Sequence, residues 1–280
     1  MKKFSFIIIT VLFSTLELKA NTNEIVWLQN QRPPWMINAG PYKNQGYADM
    51  IREIFKSKLI TYSHKTIPIN ASRLKIEVQR NKNTCYGPVG KFKAIESLFH
   101  WSKPLYYLPN PNIIVLNTTY KKMGSPKELS MENLIQNHNY NFGNHLNILL
   151  YPIDVKKYAN QKNVSSIATT SPTTSLLNML EKARIDWIYD SPVFVKWHTT
   201  LSKTNKMFKT IKVTETKNKA PLSAYLVCSK NEWGEKIIKK INRNVNKENI
   251  LKIRSFVRKW QLDEASLKEF DKINEKMFSY

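Results

Sequence analysis

The chain has 280 residues, with 44 Lys and Arg against 21 Asp and Glu, giving a formal net charge of +23. A hydrophobic fraction of 42% with 11% aromatics supplies a real core and excludes a disordered chain. Seven glycines leave little material for glycine-rich phosphate loops, and the lysines are spread along the chain rather than gathered in a block, so the charge reads as solvated surface, the alternative being a functional basic patch.

Met1-Lys2-Lys3 is a short positive segment, residues 4–16 are an apolar run, and Leu18-Lys19-Ala20 offers a cleavage site. This is the anatomy of a secretory signal peptide. The run is too short for a comfortable membrane span of about 20 apolar residues. The alternative is an uncleaved anchor. Residues 1–20 are therefore expected to be removed, leaving a soluble periplasmic protein without stable membrane insertion. No Cys follows the run, which argues against a lipid anchor. The leader carries a net +2 (Lys2, Lys3 and Lys19 against Glu17), so +21 of the +23 stays on the mature chain. About 260 mature residues suit two lobes rather than one core.

In chain order, residues 25–28 read as a strand. Gln31-Arg32-Pro33-Pro34-Trp35-Met36 must be a turn, because two prolines forbid helix and central strand. A helix is predicted over 48–59, with Met50, Ile51, Ile54 and Phe55 at helical spacing. A strand over 60–67, a helix over 72–80 and a short strand over 84–88 complete a βαβα pattern, which argues for a parallel sheet. Residues 112–116 form a buried strand bounded by prolines. A second α/β series follows: helix 129–135, strand end 140–143, helix 175–182, strand 185–189 and a helix starting at 192–198. Residues 221–228 are β-rich. In the tail, Trp233, Ile237, Ile241 and Val245, then Ile250, Ile253, Phe256, Val257 and Trp260, mark amphipathic helices.

The chain carries two cysteines, Cys85 and Cys228. In an oxidising compartment an even count suggests a disulfide, and the alternative is two buried free thiols. A bridge would close a loop of about 140 residues, contributing roughly 4–5 kcal/mol in the chain-entropy model.

Catalytic signatures are missing. There is no Gly-x-Ser-x-Gly, His-Glu-x-x-His, Cys-x-x-Cys or phosphate-loop motif. The five histidines, His64, His100, His138, His145 and His198, do not fall at metal-ligand spacing. The expectation is a protein that is not an enzyme and carries no metal or cofactor.

Four pieces, in order, give the chain a family likeness. Pro33-Pro34-Trp35 followed by Gly46-Tyr47-Ala48-Asp49 is similar to an opening Pro-Pro-Phe with Gly-aromatic-x-x-Asp. Trp101-Ser102-Lys103-Pro104-Leu105-Tyr106 is similar to Phe-Ser-x-Pro. Leu180-Glu181-Lys182-Ala183-Arg184-Ile185-Asp186-Trp187 is similar to a Leu-x-x-Gly-Arg-Ile-Asp helix–strand unit. Tyr225-Leu226-Val227-Cys228-Ser229-Lys230 precedes the closing helices. The chain thus resembles the periplasmic solute-binding proteins of family three, which include amino-acid receptors of ABC transporters, over residues 25–260. The resemblance implies an α/β, two-lobe periplasmic-binding-protein-like (type II) fold with two hinge strands. It implies a split first lobe, 21–112 and 218–280, and a second lobe, 113–217. It further implies a monomer that closes on a small polar or ionic ligand and delivers it to an ABC permease, with no nucleic-acid partner. The alternatives are a sensory or regulatory module of the same fold and, behind it, an enzyme on that fold.

Ligands of such sheets sit at strand ends. That makes Trp35, Tyr86, Gly87, Asn144, His145, Tyr189 and Asp190 candidate ligand contacts. Trp35 as a core residue and Asp190 as a helix cap remain alternatives, while Tyr47 and Asp49 read as structural. Asp190 aligns with the acid that holds a ligand ammonium in amino-acid receptors. Those receptors also carry an Arg about seven residues before the Ser of Phe-Ser-x-Pro, clamping the α-carboxylate bidentately. Ile95 stands at that position here. Lys93 supplies a nearby charge without the planar fork, and Arg73 is another cation. A standard α-amino acid is therefore not the expected ligand.

Overall fold

The computed structural model describes residues 23–70, 73–80, 82–146, 151–169 and 171–278. The proposed leader, residues 1–20, lies outside the described residues. The first sheet is built by β1 (Glu24–Gln29), β2 (Ser63–Pro68), β3 (Thr84–Gly90), β4 (Phe99–Trp101) and β5 (Tyr106–Leu108), with α1 (Tyr47–Lys56), α2 (Leu74–Arg80) and α3 (Lys93–Glu96) between them. The second is built by β6 (Asn112–Leu116), β7 (Glu128–Leu129), β8 (Phe142–His145), β9 (Val164–Ile167), β10 (Trp187–Asp190) and β11 (Phe208–Val213). Its helices are α4 (Asn117–Lys122), α5 (Met131–Gln136), α6 (Pro172–Glu181) and α7 (Val193–Ser202). The chain then returns to the first sheet as β12 (Leu222–Ser229) and closes with α8 (Glu232–Arg243), α9 (Lys247–Arg258) and α10 (Glu264–Met277).

The first sheet runs β2-β1-β3-β12-β4, with β5 also on β12, and the second runs β7-β11-β6-β10-β8-β9. The parallel pairs β1–β2, β1–β3, β8–β9 and β8–β10 follow from the helical crossovers between them. Two segments, 109–111 and 214–221, carry the chain between the sheets. Glu215, in the second segment, accepts hydrogen bonds from Ser130 Oγ (2.8 Å), Glu132 N (3.0 Å) and Met131 N (3.1 Å), tying that crossover to the start of α5.

Strand alternation sets the cores. In the second sheet Trp187 and Tyr189 join one cluster with Phe142, Ile113 and Val115, while Ile188 and Ile114 join the opposite one with Leu176, Leu177 and Val195. Around the first sheet one cluster holds Trp27, Phe55, Phe99, Leu226, Ile237, Ile253 and Phe270, so the C-terminal helices pack on this sheet. Those helices start where polar side chains satisfy free N–H groups: Asn231 for α8, Asn246 for α9 and Asp263 for α10. Cys228 faces Cys85 in the β12–β3 register, and the two form a disulfide.

Several boundaries differ from expectation. The first helix ends at Lys56 rather than 59, and β2 starts at Ser63. The strand expected over 84–88 continues to Gly90 with a bulge on β12 opposite. Leu129 belongs to β7 rather than to the following helix, because Ser130 caps α5 at Asn133 N (3.2 Å).

Candidate functional site

A cleft of about 770 Å³ lies between the sheets, within the range of small-molecule sites. Its wall gathers carboxyl ends of strands: Asn30, Gln31, Arg32 and Trp35 after β1, Pro88 to Gly90 on β3, His145 and Leu146 around the end of β8, Ala168 and Thr169 after β9, and Ser191 after β10. Helical crossovers make parallel strands end on the same side, so side chains from distant segments converge there.

The loop after β1 is held from below. Asp49 accepts from Ile37 N (2.9 Å), Gly46 N (3.1 Å) and Gln29 Nε2 (2.8 Å), and pairs with Arg52, which donates to Leu28 O (3.0 Å). This fixes where Arg32 and Trp35 enter the cleft. Trp35 donates its indole N–H to Pro88 O (2.8 Å) and meets Tyr86 edge-on, centroids 5.9 Å apart. Tyr47 and Tyr106 form a second edge-on pair at 6.2 Å, and both reach the wall. The structural role read for Asp49 is seen in these bonds, whereas Tyr47 packs in the core and also lines the cleft.

Arg32 crosses from the first lobe to the second. Its Nη2 donates to Asp190 Oδ1 (2.8 Å) and Oδ2 (3.0 Å), and its Cζ lies 4.3 Å from the centroid of Phe194. Asp190 also accepts from Ser191 N (2.7 Å) and Thr173 Oγ1 (2.7 Å). Beside them His145 is buried, and burial together with the Arg32 charge pushes its imidazole down to about 4. The ring is neutral at physiological pH. Other contacts between the lobes include Tyr42 against Trp197 (5.4 Å), Trp197 against Trp260 (5.2 Å) and an exposed ion pair of Lys212 with Glu269 (3.2 Å).

Of the residues singled out by sequence, Trp35, Tyr86 and His145 line the cleft, and Asp190 adjoins it through Arg32. Four do not line it. Gly87 is buried backbone at φ +110°, where a Cβ would meet Tyr225 O at 2.6 Å, so it shapes β3 beneath the wall. Lys93 is exposed on α3, whose Ala94 and Ile95 line the cleft instead. Asn144 points away and donates to Ser166 Oγ (3.0 Å). Tyr189 faces the opposite side of its strand, in the core beside Tyr151. Arg73 pairs with Glu77 (3.0 Å) outside the lining. Sequence reasoning missed Arg32, Asn30, Lys75, Phe92, Lys156 and Phe194. Arg32 had a signal, since it directly precedes the Pro-Pro-Trp turn, but it was read with the turn and not as a side chain.

No family model matches the chain, and no curated protein matches it. Solved structures do. An amino-acid ABC transporter substrate-binding protein from Streptococcus pneumoniae, bound to L-arginine, has a TM-score of 0.58 at 14% identity, over 89% of this chain and 92% of that one. The periplasmic VFT2 domain of BvgS from Bordetella pertussis has 0.61 at 12% identity, over 86% and 94%. The GluR0 ligand-binding core from Nostoc punctiforme, in complex with L-glutamate, has 0.60 at 14% identity, over 85% and 100%. Among the described residues no group of three or more His, Cys, Asp or Glu could hold a metal ion, and no helix is long and apolar enough to cross a membrane. At these identities the likeness is one of fold: the chain has the two-lobe α/β architecture of periplasmic binding proteins.

Proposed function

We propose that this chain is a periplasmic solute-binding protein that captures a small polar or ionic ligand between two lobes and delivers it to an ABC permease. The lobes are 21–112 with 218–280, and 113–217, hinged at the two crossovers. The observation that carries the reading is the cleft itself, about 770 Å³, walled by both sheets and crossed by the Arg32–Asp190 pair. A pair spanning two lobes connected by two strands is suited to hinge closure around a ligand. The protein acts as a monomer, after removal of its leader, and is not a catalyst. The test is capture: purified protein incubated with small-molecule extract, dialysed, denatured and analysed by mass spectrometry releases one compound in about equimolar amount. Release of none contradicts the reading.

The BvgS domain favours a second reading, a module read by a signalling partner. Deleting the gene separates the two. Loss of ligand uptake supports transport, and intact uptake with a lost transcriptional response supports sensing.

A further inference from the structure

The binding-protein reading leaves the ligand's chemistry open, and the cleft wall narrows it. We infer that the cleft takes an organic anion carried on a flat, apolar body, and that it is not arranged for the ammonium group of an amino acid. This inference rests on the proposed function and goes on to name the ligand class.

Three observations carry it. The first is the sign of the wall. Its charged residues are Arg32, Lys75 and Lys156, and no Asp or Glu lines it among the described residues. Neither Lys75 nor Lys156 takes part in an ion pair with the described residues, and both are exposed at the cleft. A wall with unpaired cations and no acid attracts anions and repels cationic ligands.

The second is the state of Asp190, the carboxylate that Arg32 reaches from the wall. An ionised carboxylate has about four acceptor positions. Asp190 uses all of them: Arg32 Nη2 reaches both oxygens, Ser191 N takes Oδ1 and Thr173 Oγ1 takes Oδ2. Its side chain is 2% exposed. An incoming ammonium would have to displace a guanidinium already held by two bonds and by the Phe194 ring. Asp190 orients Arg32, whose Nη1 and Nε have no partner among the described residues and whose side chain is 21% exposed in the cleft. These are single N–H donors left for an oxyanion in the cleft.

The third is a pair of buried polar groups left without partners. His145 Nδ1 and Asn30 Oδ1 make no hydrogen bond among the described residues, although these cleft residues are only 6% and 9% exposed. Buried polar atoms without partners are costly and rare, and a ligand with polar oxygens would satisfy them. A neutral imidazole can donate to such an oxygen, and an amide can present either end. Around these few polar groups stand Trp35, Tyr47, Tyr86, Phe92, Tyr106 and Phe194, which favour a flat apolar body.

A matched series of ring compounds tests the inference by calorimetry on the purified protein. The probes are 3-phenylpropionate (anion only), L-phenylalanine (zwitterion), 2-phenylethylamine (cation only) and 3-phenylpropionamide (neutral), with L-arginine as a ring-free amino acid. We expect 3-phenylpropionate to bind at least about tenfold tighter than L-phenylalanine and the amide, because only it pairs a free Arg32 donor with a charge and brings no unpaired ammonium. The amine should give no heat. Arg32→Gln should cost the carboxylate about tenfold. Should that variant fail to fold, the exposed pair Lys75→Gln and Lys156→Gln keeps the inference open to test: it should slow association of the carboxylate about threefold at low salt, with little effect at high salt. L-phenylalanine or the amine binding as tightly as the carboxylate would overturn the inference. So would L-arginine binding where 3-phenylpropionate does not, but that result would leave the binding-protein reading standing. Silence from all five probes overturns the anion class, while the capture experiment judges the binding reading separately.

Discussion

Two arginine–aspartate pairs in this molecule share their chemistry and differ in their setting. Arg52–Asp49 lies wholly inside the first lobe, with side chains 3% and 2% exposed, and every other donor to Asp49 comes from the same lobe. Arg32–Asp190 joins residues 158 apart in sequence, one from each lobe, and its arginine still touches solvent. The first pair cannot break unless the lobe unfolds. The second breaks whenever the lobes separate. The same ion pair is thus a fastening in one place and a latch in the other, and topology alone decides which.

The largest effect should come from the sealed pair. Asp49→Ala strands a buried guanidinium and frees the Ile37 and Gly46 N–H groups, so urea unfolding should show a loss of about 3–5 kcal/mol. A loss of a few tenths would erase the distinction between the pairs.

Next comes the latch. Asp190→Asn keeps the shape but removes the charge, and water can reach Arg32 in compensation. The loss should be about 2 kcal/mol, accompanied by a larger radius of gyration in small-angle scattering as the lobes part. An unchanged radius would mean that the Trp197 contacts and the Lys212–Glu269 pair hold the lobes together without Asp190.

The pH dependence sharpens the comparison from the side of the latch. His145 faces Arg32 and Asp190, with Tyr151 hydroxyl against its backbone N–H, and its folded pKa of about 4 lies below the ordinary 6.5. Between those values the unfolded chain binds more protons than the folded one. Stability should therefore fall as pH drops from 6.5 toward 4, and His145→Gln should flatten that part of the curve. Parallel curves for the two proteins would contradict the burial of a neutral imidazole.

The smallest effect lies away from both pairs. Ala183 follows α6 at φ +52°, in the left-handed region where a side chain is disfavoured. Ala183→Gly should stabilise by about 1 kcal/mol in thermal unfolding and leave binding untouched.

Much of the fold was legible because it depends on local pattern. The Ile51, Ile54 and Phe55 spacing, the prolines at 109 and 111 and the apolar, β-branched run at 112–116 each fix an element from nearby residues. The short pieces β4, β5, β7 and β9 were not legible, since two to four residues carry no period and are held as strands by partners far along the chain. The site divides in the same way. Trp35, Tyr86 and His145 could be found because strand ends announce themselves. Tyr189 was misplaced by one step of strand alternation, which turns a cleft residue into a core residue. Asp190 was placed among the ligand contacts, but its partner was not found, because nothing in the neighbourhood of Arg32 records that position 190 lies opposite it.

The central claim is that the cleft binds a small ligand and that Arg32 is its anchor. The most direct measurement is a thermal-shift screen of wild-type protein and Arg32→Gln against amino acids, organic acids, polyamines, nucleotides and cell-wall fragments. Ligand binding raises the melting temperature by mass action. The account predicts that one chemical class raises it in the wild type and that the shift largely disappears in Arg32→Gln. No shift with any class, or a shift that survives the substitution undiminished, would contradict it.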